Sequence, residues 1–378
     1  MRRLVSMLIL TVSLSFANSE YADKSILIEP EEAIKLIGQP NVMFVSGDSE
    51  DVYKLGHIKG SVEMYAHHLH HSDIMGELHC SPLFRCVDDA EQYIGSKGIT
   101  NDTMVIAYDD YKGPNATGVY HFFLSYGHTN VKILNGGRNA IAELDPNKSA
   151  YDKARKTFKN AKKATKKVKK ELRKAKKAYK AEEITKDEYN ALKAEYKEAK
   201  ATQKELQAKM DEAAENLLVV KGHEEAEAVE YHIDREKITT KYLADKHYVK
   251  TAVDDIKKHG DDSKYVIVDT RSMIEIIGAR KMDNVARGGH VPGAKFLEWK
   301  HISDPVNKRS FRSAEEIKAT FEKFGITKDK HVVAYCHVGT GRSSEIITAL
   351  QLLGYENAKV FAGSWDEWGN DMNLPIKR

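Results

Sequence analysis

Two parts of the chain carry the same pattern of apolar and polar positions. In the second half, the apolar run 331–335 is followed by a loop and then by apolar residues at helical spacing over 343–353. In the first half, the apolar run 104–108 is followed by a helical pattern over 119–124. A continuous apolar run before each helix is typical of a buried strand in a parallel sheet.

The two patterns keep the same register. Tyr108 and Gly127 are 19 residues apart, as are Tyr335 and Gly354, and each glycine marks the end of a predicted helix. Strands that alternate with helices predict parallel sheets covered by helices on both faces. The sequence therefore predicts two α/β domains of one fold, arranged in tandem.

The segment between the repeats predicts a coiled-coil hairpin. Residues 148–180 lack glycine and proline, and small or apolar residues recur every three or four positions there and again from Tyr189 to Leu217. Thr185 to Glu188 has the sequence of a capping box. We expect an antiparallel pair of helices with arms of about 45 Å. The predicted segments are a signal peptide at 1–19, a first domain at 24–147, the hairpin insert at 148–222 and a second domain at 223–378.

The beginning of the chain predicts export. Two arginines in residues 1–3 precede an apolar run over 4–16, and small residues follow as far as Ser19. We expect a secretory signal cut after Ala17 or Ser19, and a periplasmic or extracellular protein. The run is shorter than the roughly 20 apolar residues that cross a membrane. No later segment of the sequence is apolar enough to do so.

Charge is concentrated in the hairpin. The whole chain has a net charge of +3, whereas residues 148–182 carry 16 Lys and Arg against three acidic residues, a net of +13. Residues 183–217 carry nine acidic residues and six Lys, a net of −3. One interpretation is a basic arm that binds an acidic protein, an anionic lipid surface or a polyanion. The other is a solvated helix whose cations pair with the second arm. Nucleic acid is not expected, because no pattern of stacking aromatics is present.

Cys336 is the candidate nucleophile. It directly follows a predicted strand and precedes a predicted helix, so that loop amides and the positive end of the helix dipole surround its sulfur. Two loop glycines let the backbone turn inward, and an arginine can hold an anion above the sulfur. Such surroundings lower a thiol pKa and favour the thiolate. The predicted anion-binding residues are His337, Val338, Gly339, Thr340, Gly341 and Arg342.

Four pieces of the second half, in order, resemble the rhodanese superfamily. They are Asp269 to Arg271, Arg287 to Ala294, the Cys336 loop and the Trp-rich Gly363 to Gly369. Both halves of the chain resemble the tandem-domain thiosulfate or 3-mercaptopyruvate sulfurtransferases. The resemblance implies an enzyme that takes a sulfane sulfur from a small anionic donor (thiosulfate, mercaptopyruvate or polysulfide) onto Cys336 as a persulfide. A thiol or a cyanide-like acceptor would then receive it, with no dissociable cofactor and no metal.

The resemblance also assigns roles to two other positions. Asp109 stands in the first half where Cys336 stands in the second, and a carboxylate cannot carry a persulfide, so that the first domain is expected to be non-catalytic. Arg287 lies where tandem sulfurtransferases use an arginine near the substrate and is a candidate substrate ligand. Asp269 and Arg271 are expected to form a structural ion pair.

The length of the Cys336 loop departs from the family pattern. Sulfurtransferases of this kind have the arginine or its substitute five places after the cysteine, whereas Arg342 is six places on. A seven-residue loop resembles rhodanese-fold phosphatases and arsenate reductases, whose wider loop fits a tetrahedral oxyanion. Sulfur transfer is the favoured interpretation, and oxyanion chemistry is an alternative. A third is a carrier that holds sulfur or another chalcogen without turnover.

The first domain contains two further patterns of interest. Cys80 and Cys86 could pair in an oxidising compartment, which would leave Cys336 as the free thiol. Histidines are dense nearby, at His67, His68, His70, His71 and His79. Histidine and cysteine at this density can bind zinc or copper. Their spacing matches no specific metal motif, and a polar surface loop is the favoured interpretation.

Overall fold

A computed structural model of the chain describes residues 20–69 and 87–378. The predicted signal peptide at 1–19 lies outside these residues. The predicted pairing of Cys80 with Cys86, and most of the histidine cluster, lie outside them as well. No helix in the described ranges is both long and apolar enough to cross a membrane.

The first domain is built on a parallel sheet. The strands of this domain are β1 Leu27–Ile28, β2 Val42–Ser46, β3 His57–Ile58, β4 Val62–Glu63, β5 Met104–Tyr108 and β6 Val131–Leu134, of which β3 lies outside the parallel sheet. Its helices are α1 Pro30–Ala33, α2 Glu50–Leu55, α3 Val87–Ser96, α4 Pro114–Ser125 and α5 Gly137–Leu144. The sheet order is β1-β6-β5-β2-β4, and all its pairings are parallel.

The insert forms the predicted hairpin. It consists of α6 Lys148–Lys180, α7 Lys186–Glu215 and the short strand β7 Val219–Val220. Tyr179 and Tyr189 stack near the tip with ring centroids 5.3 Å apart, and Thr165 Oγ1 donates to Ala199 O across the seam at 3.1 Å. The capping box is confirmed, because Thr185 Oγ1 accepts from the amide at 188 and the carboxylate there accepts from Thr185 N. Strand β7 pairs antiparallel with β3 and so holds the hairpin base on the first domain.

The second domain repeats the topology of the first. Its strands are β8 Leu243–Ala244, β9 Tyr265–Asp269, β10 Lys295–Phe296, β11 His331–Tyr335 and β12 Ala358–Phe361. Its helices are α8 Lys246–His259, α9 Met273–Ile276, α10 Ala314–Lys323, α11 Arg342–Leu352 and α12 Ser364–Asn370. The parallel sheet has the order β8-β12-β11-β9-β10, in which each strand takes the place of its counterpart in the first sheet. The predicted fold class of two α/β domains with a helical insert is confirmed.

The two domains pack through equivalent helices. Helix α4 of the first domain lies against α11 of the second, where His121 Nε2 is 3.1 Å from Thr348 Oγ1. A side chain at Gly118 would place Cβ 2.9 Å from Ala66 Cβ and 3.2 Å from Gly341 N, so that glycine permits the close approach. One apolar core runs through both domains, because residues of both belong to the same buried cluster. The interface therefore fixes the start of α11, where the reactive loop ends.

Candidate active site

Cys336 lies at the carboxyl end of the central strand β11, immediately before the loop that leads into α11. Its backbone N–H donates to Ser364 Oγ at 3.0 Å. Gly339 and Gly341 have φ values of +90° and +92°, in the left-handed region that favours glycine. A Cβ at Gly339 would lie 2.1 Å from Ala362 O, so no other residue fits this turn. The loop backbone therefore curves beneath the sulfur, as the sequence predicts.

The surroundings of the sulfur favour the thiolate. Burial raises the pKa of Cys336, but the Arg342 guanidinium, the Ser343 hydroxyl and the amides of Ser343 and Val338 outweigh it and hold the pKa below its ordinary value. Ser343 Oγ lies 3.5 Å from Cys336 Sγ and 2.7 Å from Gly339 O. Cys336 is 1% exposed, so these protein groups replace water as the polar partners of its sulfur.

Arg342 is fixed by a carboxylate from the adjacent α9. Its two terminal nitrogens donate to Glu275 at 2.9 and 3.2 Å, a bidentate pair. Burial raises the pKa of Glu275, but the pairing with Arg342 overrides it and lowers the pKa to about 2. Ser272, which caps the N-terminus of α9, also donates its hydroxyl to this carboxylate. The guanidinium is thus oriented before any ligand arrives.

A cleft of about 770 Å³ opens over Cys336 between the two domains. Its basic and histidine lining residues are His67, Lys112, Arg138, Lys300, His337 and Arg342. Its acidic lining residues are Asp48, Asp109 and Asp110. Asp48 pairs with Arg138, and Asp110 pairs with Lys112, so that these carboxylates are already neutralised. Lys300 is likewise paired with Glu298, and Arg342 with Glu275, so the Arg342 guanidinium beside the sulfur, rather than an excess of unpaired positive charge, is the group suited to hold a small anion.

The structure brings only part of the predicted site into the cleft. His337 and Val338 line it together with Cys336 and Arg342. Gly339 packs against Ala362 instead. The other two loop residues face the first domain: the Thr340 hydroxyl donates to Ala66 O at 3.0 Å, and Gly341 lies beside Gly118. These residues shape the loop rather than line the cleft.

His67 is a cleft residue that sequence reasoning did not assign to the active site. Burial, together with Arg342 and His337, lowers the pKa of His67 to about 4, so the ring is neutral at pH 7. Burial and Arg342 also lower the pKa of His337 to about 4. The histidine density in this part of the sequence was the available signal. It favoured a polar surface loop, with a metal site as the alternative, and did not show that a turn of the first domain reaches the second-domain loop.

The first domain has an equivalent anion-binding turn, which its own Asp109 fills. The carboxylate accepts the backbone N–H groups of Gly113, Asn115 and Ala116 at 3.1, 3.1 and 3.3 Å. Burial and the neighbouring Asp48 raise the pKa of Asp109 to about 7 despite these bonds. The amides that would bind an external anion are therefore satisfied internally.

Arg287 is placed away from the cleft. Its guanidinium donates to the backbone carbonyls of Gly369, Leu374 and Trp368 at 3.1, 2.9 and 3.0 Å, and it is not among the cleft-lining residues. These bonds tie the C-terminal segment to the domain. The expected ion pair of Asp269 and Arg271 is present and buried, with Arg271 Nη2 2.7 Å from the carboxylate.

Glu345 is a further buried group near the loop. It is 0% exposed, and neither carboxyl oxygen has a hydrogen-bond partner among the described residues. The nearby Thr117 hydroxyl is directed instead to Pro114 O at 3.1 Å. Burial, with a contribution from Asp109, raises the pKa of Glu345 well above its ordinary value. Burial at the domain interface therefore disfavours the ionised form of this side chain.

Comparison with known proteins identifies the family. The rhodanese-like domain family matches residues 29–144 and 252–371. The thiosulfate sulfurtransferase of Corynebacterium glutamicum is 24% identical over 372 residues, which cover 96% of this chain and 93% of that protein. The sulfur carrier protein TtuD of Thermus thermophilus is 37% identical over 134 residues, covering 33% of this chain and 46% of that protein.

A solved structure shows the same architecture. The anaerobic ergothioneine biosynthesis enzyme of Chlorobium limicola, in complex with trimethyl histidine, superposes with a TM-score of 0.57 at 19% identity. The match covers 93% of this chain and 70% of that one. The chain belongs to the rhodanese family, with two copies of its domain. Its relatives along most of its length make it a sulfurtransferase of that family.

Proposed function

We propose that this protein is an exported sulfurtransferase that carries a sulfane sulfur on Cys336 between a small anionic donor and a thiophilic acceptor. The observation that supports it most directly is the buried Cys336 sulfur with a lowered pKa, beside Arg342, at the floor of the cleft between the domains. Export rests on the signal pattern in residues 1–19 of the sequence.

The chemistry follows from a thiolate beside a fixed cation. The Cys336 thiolate attacks the outer sulfur of thiosulfate, a new S–S bond forms, and the old S–S bond breaks with its electron pair leaving on sulfite. Arg342 lies where it can stabilise the anionic donor and the departing anion. The acceptor then attacks the outer persulfide sulfur, and the electron pair of that bond returns to Cys336 as the thiolate.

Intact-mass measurement tests the first half of the cycle. The purified protein is treated in turn with thiosulfate, mercaptopyruvate and polysulfide, and we expect a species heavier by one sulfur atom. Cys336→Ser removes the acceptor atom and should abolish this species with every donor. The proposal fails if no donor loads the wild-type protein.

The carrier alternative has one specific observation in its favour. A relative that is 37% identical over 134 residues, from Thermus thermophilus, is named a sulfur carrier protein. Turnover separates the two functions, because a transferase releases thiocyanate from thiosulfate and cyanide over many cycles. A persulfide that forms once and passes only to a protein thiol would favour the carrier.

The oxyanion alternative rests on the extra residue between Cys336 and Arg342. Arsenate and an aryl phosphate are therefore included as substrates. Reduction of arsenate or release of the phenol, dependent on Cys336 and without sulfur loading, would replace the sulfurtransferase proposal with this alternative.

A further inference from the structure

The hairpin carries positive charge that the described structure does not neutralise. All 16 lysine and arginine side chains of α6 are exposed. Among them, only Lys148 forms an ion pair within 4.0 Å in the described residues, and its partner is Asp152 on the same helix. Over residues 20–69 and 87–378, no ion pair joins α6 to α7. Pairing between the arms, one of the two interpretations of the sequence, is therefore not observed.

The hairpin stands away from both domains. Its hydrogen bonds to the first domain occur at the base, where Leu218 N donates to Asp145 Oδ2 at 2.7 Å and Lys59 Nζ donates to Glu215 O at 3.2 Å. Within the described ranges, no hydrogen bond or ion pair connects residues 152–210 to either domain. At 1.5 Å per residue, the 33 residues of α6 extend about 50 Å. Among the described residues, nothing therefore covers either broad face of the hairpin.

Four lysines of α7 lie along one edge of that helix. Lys193, Lys197, Lys200 and Lys204 follow one another at intervals of four, three and four residues, which places them in a row. Three of them border the same shallow hollow of about 450 Å³, together with Ala201, Gln203 and Gln207. All four side chains are exposed. This edge therefore presents a continuous line of positive charge.

The acidic residues of α7 lie mainly along its other edge. Glu198, Glu205 and Glu212 are spaced by seven residues, about two helical turns each, and share one side. When two antiparallel helices lie side by side, one edge of each helix faces the same broad side of the pair. The α6 edge beside the α7 lysines carries a row with the same helical spacing. Its members are Arg155, Lys162, Lys166, Lys169 and Arg173.

One broad side of the hairpin is consequently basic on both helices, and the other side is mixed. We call the nine cations the basic face. Its members are Arg155, Lys162, Lys166, Lys169 and Arg173 of α6 and Lys193, Lys197, Lys200 and Lys204 of α7. The apolar residues of α6 and α7 lie in the seam between the helices, so this face has no apolar stripe to insert into lipid.

We propose that the basic face binds the surface of an anionic phospholipid bilayer. Two long helices side by side present an extended face, and a bilayer presents negative charge that is continuous in two dimensions. The face has no aromatic platform on which bases could stack, which argues against single-stranded nucleic acid. Each lysine or arginine near an anionic surface strengthens binding about fivefold, and the attraction decays within a Debye length of about 10 Å.

Vesicle co-sedimentation of the full chain tests this proposal. Vesicles of phosphatidylcholine alone are compared with vesicles in which about a third of the lipid is phosphatidylglycerol. We expect binding to the anionic vesicles that weakens steeply as salt is raised, and none to the neutral ones. The triple variant Lys193→Glu, Lys197→Glu and Lys200→Glu should weaken binding at least tenfold, because three attractive contacts become repulsive.

A second variant of equal charge is the control. Lys156→Glu, Lys167→Glu and Lys174→Glu change the net charge by the same amount, but on the opposite edge of α6. We expect at most a threefold effect on vesicle binding. Both variants should retain wild-type thiosulfate turnover in solution, which reports that the domains are intact. An equal loss in the two variants, or tighter binding to duplex DNA than to vesicles at the same salt, would overturn the proposal.

Discussion

The Cys336 sulfur occupies a buried position that on its own disfavours a thiolate, and the protein groups around it reverse that preference. Arg342 supplies charge, while Ser343 supplies a hydroxyl 3.5 Å from the sulfur. Because water is excluded, each group has a larger effect on the thiol pKa than it would have at the surface. The reactivity of the site therefore depends on single side chains that can be removed one at a time.

Ser343→Ala should raise the pKa of Cys336. The change removes a hydrogen bond to the thiolate, and we expect the pKa to rise by about one unit, in line with the 1.5–3 kcal/mol of a bond to a charged group discounted for its length. The measurement is the pH dependence of the iodoacetamide alkylation rate. Ser344→Ala is the matched control, because the neighbouring Ser344 is buried without a hydrogen-bond partner in the described structure. An unshifted profile in Ser343→Ala would contradict this account.

Glu345→Gln should stabilise the protein above about pH 5. Since the pKa of Glu345 is raised in the folded state from its ordinary 4.5, only the unfolded chain ionises as the pH rises past that value, and stability is lost until the folded pKa is reached. Glutamine cannot ionise, so the loss disappears. We expect a clear gain in the free energy of unfolding at pH 8 and little change at pH 4. Urea unfolding at both pH values measures it, and an equal effect at both would rule out the ionisation.

Local sequence predicted the groups that the Cys336 loop itself contains, including Arg342 and the two glycines. It could not predict Glu275, which reaches Arg342 from 67 residues away. The family resemblance placed Arg287 near the substrate, whereas four backbone carbonyls of the C-terminal segment bind this guanidinium. Such partners depend on tertiary packing, which a pattern of residue types does not specify.

For whole elements, the spacing of apolar residues was enough to predict a helix or a strand wherever one spacing persists over a long stretch. The hairpin and the central strands have the expected type and order, because their apolar positions repeat at one period. Helix α4 begins at Pro114, five residues before the helical pattern at 119. A proline at the first turn and the left-handed Gly113 before it start the helix without apolar periodicity.

Removing the hairpin should leave the two domains folded. Its two ends are adjacent, since Asn147 Nδ2 donates to Asn216 O at 2.7 Å, so a short Gly-Ser linker can replace residues 149–214. We expect the shortened protein to keep wild-type thiosulfate turnover and nearly the same thermal midpoint. Circular dichroism melting and steady-state kinetics check this, and loss of both would show that the hairpin is needed for the fold.

In the whole molecule, each domain is contacted by a segment of the chain that does not belong to its own sheet. The N-terminal segment reaches the second domain, where Ala22 N donates to Leu352 O at 2.8 Å. The segment after the hairpin returns along the first domain, where Val229 N donates to Gly95 O at 2.9 Å. Together with the packing of α4 against α11, these two segments tie the domains to each other.

The full chain should therefore unfold in a single main transition for both domains. Because one apolar core runs through both, unfolding either domain would expose part of the other and remove its support. Differential scanning calorimetry should give a van't Hoff enthalpy close to the calorimetric enthalpy of the two-domain body. The hairpin-free protein is the clean sample, since the long helices can melt separately. Two well-separated domain peaks would contradict this expectation.

The Asp109 carboxylate in the first-domain turn has a consequence for stoichiometry. Because the Asp109 side chain occupies one of the two equivalent turns, only the Cys336 turn can take up sulfur, and the protein should hold one sulfur atom per chain. Titration with a sulfane-sulfur donor should reach an end point of one equivalent per chain, read by cyanolysis. Asp109→Ala, which empties that turn without supplying a thiol, should leave the end point unchanged. The second domain alone then determines how many sulfur atoms the protein holds, and the first domain supplies part of the lining of the cleft.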